Sequence, residues 1–153
     1  MAYVSLDSDQ IKRAHKKHKY TKEQVEQLEQ CMDEKTGPLF FMKTFMKIQH
    51  PTKGEMPFDP YPYQERLIEA YNSHRFSISM LPRQTGKTTC ASGYLIWYAM
   101  FRPDSQILIA AHKYAGASDI MSRVRYAYEM LPSWIKAGVT QYNRNSIEFD
   151  NGS

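Results

Sequence analysis

A chain of 153 residues with 42% apolar side chains fits one ordinary domain with room for a real core. Its formal charge of +4 and pI near 9.0 permit contact with nucleic acid without requiring it. The longest apolar run, "YLIWYAMF", is far short of membrane-spanning length, and the opening "MAYVSLDSDQ" lacks the basic-then-apolar order of a secretory signal, so no membrane role and a cytoplasmic location are expected.

Residues 11–22, "IKRAHKKHKYTK", carry six Lys/Arg, two His and no acid. The run reads as a solvated or disordered arm, with a DNA-backbone or partner contact as the rival. Thr21 and Gln24 have capping-box spacing before "KEQVEQLEQCMDE", where Val25, Leu28 and Met32 form the apolar stripe of a short helix. "KTGPLFFMKTFMKI" starts again, with Pro38 suited to a first helical turn and Leu39, Phe40, Phe41, Phe45, Met46 and Ile48 available for docking. "HPTKGEMPFDPYP" reads as loop. "YQERLIEAY" predicts a helix with Leu67, Ile68 and Tyr71 inward. "RFSISML" then alternates Phe76, Ile78 and Met80 against Ser77 and Ser79, which is strand periodicity.

"KTTCASGYLIWYAMF" is apolar nearly all round, so this helix should be buried. "QILIAAH" is a continuous apolar run of the kind found inside parallel sheets. "ASDIMSRVRYAYEML" places Ile120, Met121, Val124, Tyr128 and Leu131 on one helical face, with Ser118 as a cap. The tail "VTQYNRNSIEFDNGS" reads as two short strands around "NRN", followed by a turn signal at Asp150, Asn151 and Gly152. Strand, helix, strand, helix predicts an α/β domain with a mainly parallel sheet. Cys31 and Cys90 have neither Cys-x-x-Cys spacing nor ligand partners; free buried thiols are expected, and a single disulfide is the alternative.

The chemistry concentrates in "SMLPRQTGKTTCASG". A phosphate-binding loop works because successive backbone N–H groups converge on a phosphate at a helix N-terminus. Lysine reaches the β/γ oxygens and a hydroxyl ligates Mg²⁺. Gly86 avoids Cβ crowding, Lys87 supplies the cation and Thr88 the Mg²⁺ ligand. Gly-Lys-Ser/Thr alone is a weak signal; its place between an alternating strand and a buried helix strengthens it. Leu81 stands where the first glycine is usual, and Pro82 removes an N–H. Arg83 compensates as a guanidinium able to reach a γ-phosphate, with a local salt bridge as the alternative.

"LPRQTGKTT" resembles the variant Walker A segment of the large terminase subunit, the DNA-packaging ATPase of tailed phages, and most closely its contractile-tailed (myovirus) branch. "YPYQ" resembles that family's adenine-recognising motif, and "ILIAAHKYAGASDIMSRVRYAYEMLPSWIKAGVTQYNRNSIEFDNGS" is similar to the stretch that follows its loop. The resemblance covers roughly residues 30–153 and makes Leu81 ordinary. It implies a P-loop NTPase of the ASCE/RecA-like type, preceded by an N-terminal helical segment. Residues 1–36 would form the basic arm and short helix, and 37–153 the first part of the ATPase domain. It further implies ATP and Mg²⁺ held by Tyr63, Gln64, Arg83, Gln84, Thr85, Gly86, Lys87, Thr88 and Thr89. Gln64 would bond the adenine edge, Arg83 and Lys87 would act on the phosphates, and Thr88 would hold Mg²⁺. The implied partners are double-stranded DNA, the portal protein and the small terminase subunit. Ring formation at full length and a place in the host cytoplasm, transiently at the procapsid portal, also follow from it.

His112 and Lys113 lie just past a strand's C-terminal end, where open α/β sheets bind ligands, and suit either coupling or plain capping. Hydrolysis also needs carboxylates from an apolar strand ending Asp-Glu. Asp33-Glu34 is the only such pair and precedes the loop, while Glu148 and Asp150 flank Phe149 in no such setting. The expectation is therefore an N-terminal piece of a large terminase, from an interrupted or truncated gene or a partial sequence, with little hydrolysis alone and no nuclease domain. The alternatives are a superfamily 2 helicase or restriction-type translocase, and a non-catalytic ATP-binding interaction protein.

Overall fold

The structure is a computed structural model that describes residues 10–50, 52 and 54–153. Most of the opening stretch tested for signal character, and two residues of the segment read as loop after His50, lie outside it.

Helix α1 (Lys22–Met32) begins as its capping box demands: Gln24 N–H donates to Thr21 Oγ1 at 3.3 Å, and Thr21 N–H to Gln24 Oε1 at 3.1 Å. Its inward face is a correction to the predicted stripe. Cys31 is fully buried and Leu28 half-buried, whereas Val25 and Met32 are exposed. Helix α2 (Gly37–Phe45) has Pro38 in its first turn, where the absent N–H costs nothing, and buries Phe41, Met42 and Phe45. Helix α3 (Pro62–Ser73) buries Leu67 and Ile68, with Tyr71 half-buried, as the spacing predicts.

Helix α4 (Lys87–Phe101) explains why its sequence is apolar on every side: it touches α2, α3 and α5 at once. Trp97 is fully buried there, and its Nε1–H donates to the Cys31 carbonyl at 2.8 Å, satisfying the indole and fixing the end of α1. Helix α5 (Tyr114–Glu129) buries Val124, Ala127 and Tyr128. It starts earlier than predicted. Lys113 is the capping residue, and Ser118 lies inside the helix, where its carbonyl accepts the Ser122 hydroxyl at 2.9 Å.

Two antiparallel hairpins complete the described elements. Strand β1 (Lys47–His50) pairs with β2 (Gly54–Pro57), with Ile48 opposite Met56. This hairpin occupies a segment whose Pro and Gly content reads as loop, and it takes Ile48 out of the helical stretch. Strand β3 (Val139–Tyr142) pairs with β4 (Ile147–Phe149), as the tail predicts, with a register shift between Val139 and Gln141. Residues 77–82 and 105–111 carry no ladder among the described residues. Phe76, Ile78, Met80 and Leu108 are 81%, 94%, 93% and 91% exposed. Both cysteines are free and buried, as one of the two readings expects.

A single apolar cluster runs from Ile11 through Cys31, Phe41, Trp97 and Tyr128 to Phe149. This cluster includes residues on both sides of position 36.

Candidate phosphate-binding site

The chain approaches α4 through residues 77–82 and turns at Arg83 and Gln84. Gln84 has φ 63° and Gly86 φ 75°, so two of the last three loop residues are left-handed. That conformation turns the backbone sharply into the helix. Gly86 is the N-cap of α4 and supplies no side-chain cap; only its carbonyl accepts, from Cys90 N–H at 3.0 Å. The first-turn amides of α4 thus face the loop without a capping side chain, and they carry the positive end of the helix dipole.

Three side-chain bonds shape the loop from within and beside it. Thr85 Oγ1 donates to the Pro82 carbonyl at 3.0 Å, which closes the turn. Lys87 Nζ reaches back to the Leu81 carbonyl at 3.1 Å, so its ammonium lies across the loop mouth while staying exposed. From α3, Tyr63 Oη and Gln64 Nε2 both donate to the Thr85 carbonyl, at 2.9 and 3.0 Å. Gln64 is 6% exposed, and its Oε1 accepts from Tyr61 N–H at 2.9 Å. A Cβ on Gly86 would stand 2.5 Å from Gln64 Nε2, so the amide occupies the space the glycine leaves.

These contacts give several predicted residues definite places. Tyr63, Gln64, Thr85, Gly86 and Lys87 form one connected group. Leu81, the departure from the usual glycine, packs its half-buried side chain against the core and offers its carbonyl to Lys87. Arg83 is exposed and has no ion pair or hydrogen bond among the described residues. Thr88 is half-buried on the first turn of α4. Thr89 lines a cleft of about 570 Å³ with Ser92, Asp119, Ser122 and Arg123. His112 and Lys113 are exposed beside the start of α5, and the cap there is Lys113.

Asp33 and Glu34 are held by local and ion-pair contacts. The Asp33 carboxylate accepts from Thr36 N–H and Oγ1–H, both at 2.7 Å, and from Lys35 N–H at 3.0 Å; chiefly the Thr36 bonds hold its pKa below the usual value. Glu34 pairs with Arg102 at 3.5 Å. Asp150 accepts from His15 N–H at 2.8 Å.

Tyr61, the first residue of "YPYQ", carries no role in the sequence reading. Its ring stacks on Tyr63 at 5.8 Å and 7°, and it is 65% exposed beside the loop. The available signal was its position two residues before Tyr63, across Pro62.

The residues present fit a nucleotide triphosphate: an uncapped helix N-terminus, a glycine without room for a Cβ, a lysine across the mouth and a stacked aromatic pair nearby. Residues 78–153 match the family model described as "Terminase large subunit, T4likevirus-type, N-terminal". The match spans the loop, α4, α5 and the β3–β4 hairpin, and it begins after α3.

Proposed function

Through residues 78–153 this chain belongs to the T4-type large terminase subunit family, whose role is in viral DNA packaging, and we propose that it supplies the ATP-binding part of the packaging motor. The observation that carries the reading is the uncapped N-terminus of α4, framed by Gly86 and Lys87 and tied to α3 through the Thr85 carbonyl. The α4 amides would receive the β-phosphate. Lys87 would exchange the Leu81 carbonyl for phosphate oxygens, gaining a charge-assisted bond in place of a neutral one. Arg83, exposed and unpaired among the described residues, would meet the γ-phosphate. Thr88 would hold Mg²⁺, which shields phosphate charge when bound. Residues 77–82 and 106–111 would be strands of a P-loop sheet, which accounts for their apolar content. In the assembled motor the same unit would work with double-stranded DNA, the portal protein and the small terminase subunit, turning hydrolysis into DNA translocation.

Nucleotide binding tests this assignment. Fluorescence titration of the purified chain with ATP and Mg²⁺ should show saturable binding that inorganic triphosphate competes away. Failure of ATP to bind would remove the reading.

A further inference from the structure

Residues 10–15 are fastened to the β3–β4 side of the molecule. Val139 N–H donates to the Lys12 carbonyl at 2.9 Å and Ala14 N–H to the Val139 carbonyl at 3.2 Å, with a parallel bridge between Arg13 and Val139. Ile11 is 5% exposed, and His15 N–H donates to the Asp150 carboxylate. Lys12 Nζ bonds the Lys136 carbonyl at 2.8 Å. Lys136, 3% exposed, donates in turn to the carbonyls of Gln10 at 2.7 Å and Glu129 at 2.8 Å. At the other end, the Thr21 capping box fixes the start of α1. The basic run is therefore a strap held at both ends.

Between those anchors, residues 15–23 are all exposed. Lys16, Lys17, Lys19 and Lys22 have no carboxylate partner among the described residues, and no acid falls between Ile11 and Lys22. Lys22 opens α1, where the helix dipole disfavours a cation. A merely solvated face gains nothing from such crowding, because like charges repel and mixed signs would be more stable. Holding the strap at both ends also reduces the entropy lost when it binds something.

We propose that this strap grips the phosphate backbone of duplex DNA. Residues 16–22, if extended, span up to ~23 Å, while phosphates along one strand recur at about 3.4 Å of helix axis. The lysines can therefore meet several phosphates at once. Lysine is a point charge without a planar fork, so the grip favours no base sequence, which suits a protein that must handle any stretch of its DNA. The choice of DNA over an acidic protein rests on the family's packaging role. It does not depend on the nucleotide site.

The test is fluorescence anisotropy of a labelled duplex across a salt series, with the parent chain, the fourfold K16Q/K17Q/K19Q/K22Q variant and the matching fourfold Lys→Arg variant. Each neutralised phosphate contributes about 0.9 to the slope of log K against log salt, so the Gln variant should lose about 3 to 4 from that slope. The parent should then lose roughly 100-fold more affinity than the Gln variant between 50 and 200 mM salt. The Arg variant should keep the parent's slope, and ATP binding should be equal in all three. An unchanged slope in the Gln variant, or no duplex binding by the parent at 50 mM salt, overturns the proposal. So does loss of poly-glutamate binding in the Gln variant with duplex binding intact. Failure of ATP binding alongside the predicted slopes would strike the nucleotide reading and leave the strap standing.

Discussion

The Thr85 carbonyl takes two side-chain donors, Tyr63 Oη and Gln64 Nε2, and that convergence decides what Gln64 is for. Its Oε1 is engaged by Tyr61 N–H and its Nε2 by the loop, and burial at 6% exposure leaves little of the amide for a base edge. In this geometry Gln64 positions the loop. Gln64→Ala should therefore weaken ATP and inorganic triphosphate alike, by about 10-fold each if roughly one buried hydrogen bond is lost. Calorimetric titration with both ligands separates the roles: a loss confined to ATP would restore direct adenine recognition. The turn at Gly86 into a buried helix was legible because the sequence sets a glycine directly before an apolar 15-residue run. The work of Leu81 was not. Its side chain anchors in the core while its carbonyl holds Lys87, and a backbone carbonyl's partner leaves no mark on sequence.

Helices were more readable than strands, for a reason of length. Helix α4 repeats its apolar pattern over 15 residues and sits among three other helices as that pattern requires. The face of α1 was misjudged because Cys31 counts as a weak hydrophobe in a pattern although it is the buried residue, while Met32 beside it is 60% exposed. The β1–β2 hairpin was invisible: four-residue strands containing Gly54 and Pro57 give one apolar pair, Ile48 and Met56, too little for a period. Trp97 is the largest fully buried side chain of α4, lying beside Tyr94 and Phe101 while bonding the Cys31 carbonyl. Trp97→Ala should cost about 3–5 kcal/mol by urea denaturation. Trp97→Phe should recover most of the packing but leave that carbonyl without its donor. Thr21→Ala, which removes only a cap, should cost about 1 kcal/mol.

At the scale of the molecule, one core joins the strap, the helices and the β3–β4 hairpin, so stability should respond as a unit. Burial raises the Cys31 thiol to about 12 and Cys90 to about 11 from the ordinary 9.0, and it also lifts the hydroxyls of Tyr71, Tyr94, Tyr128 and Tyr142. Groups raised in this way contribute stability that is complete below their unfolded values and is lost as pH climbs through the folded ones. Lys12 and Lys136, lowered chiefly by burial, act in the opposite sense between their folded values and 10.5. Six groups oppose two, so the melting temperature should fall between pH 8.5 and about 11; a rise over that range would contradict the burial of these side chains. The β3–β4 hairpin was legible in the sequence. The parallel sheet expected from "RFSISML" and "QILIAAH" has no ladder among the described residues, because two apolar strands require partners that local sequence does not name.

Isothermal titration of the folded chain with Mg-ATP, alongside Lys87→Ala, bears most directly on nucleotide binding at this loop. Lys87 is exposed and bonds only the Leu81 carbonyl among the described residues, so its removal should leave the fold intact. The parent is predicted to bind one ATP and the variant to bind at least tenfold more weakly, a loss of about 1.4 kcal/mol or more. Equal affinity in the two proteins, or none in either, would contradict the account.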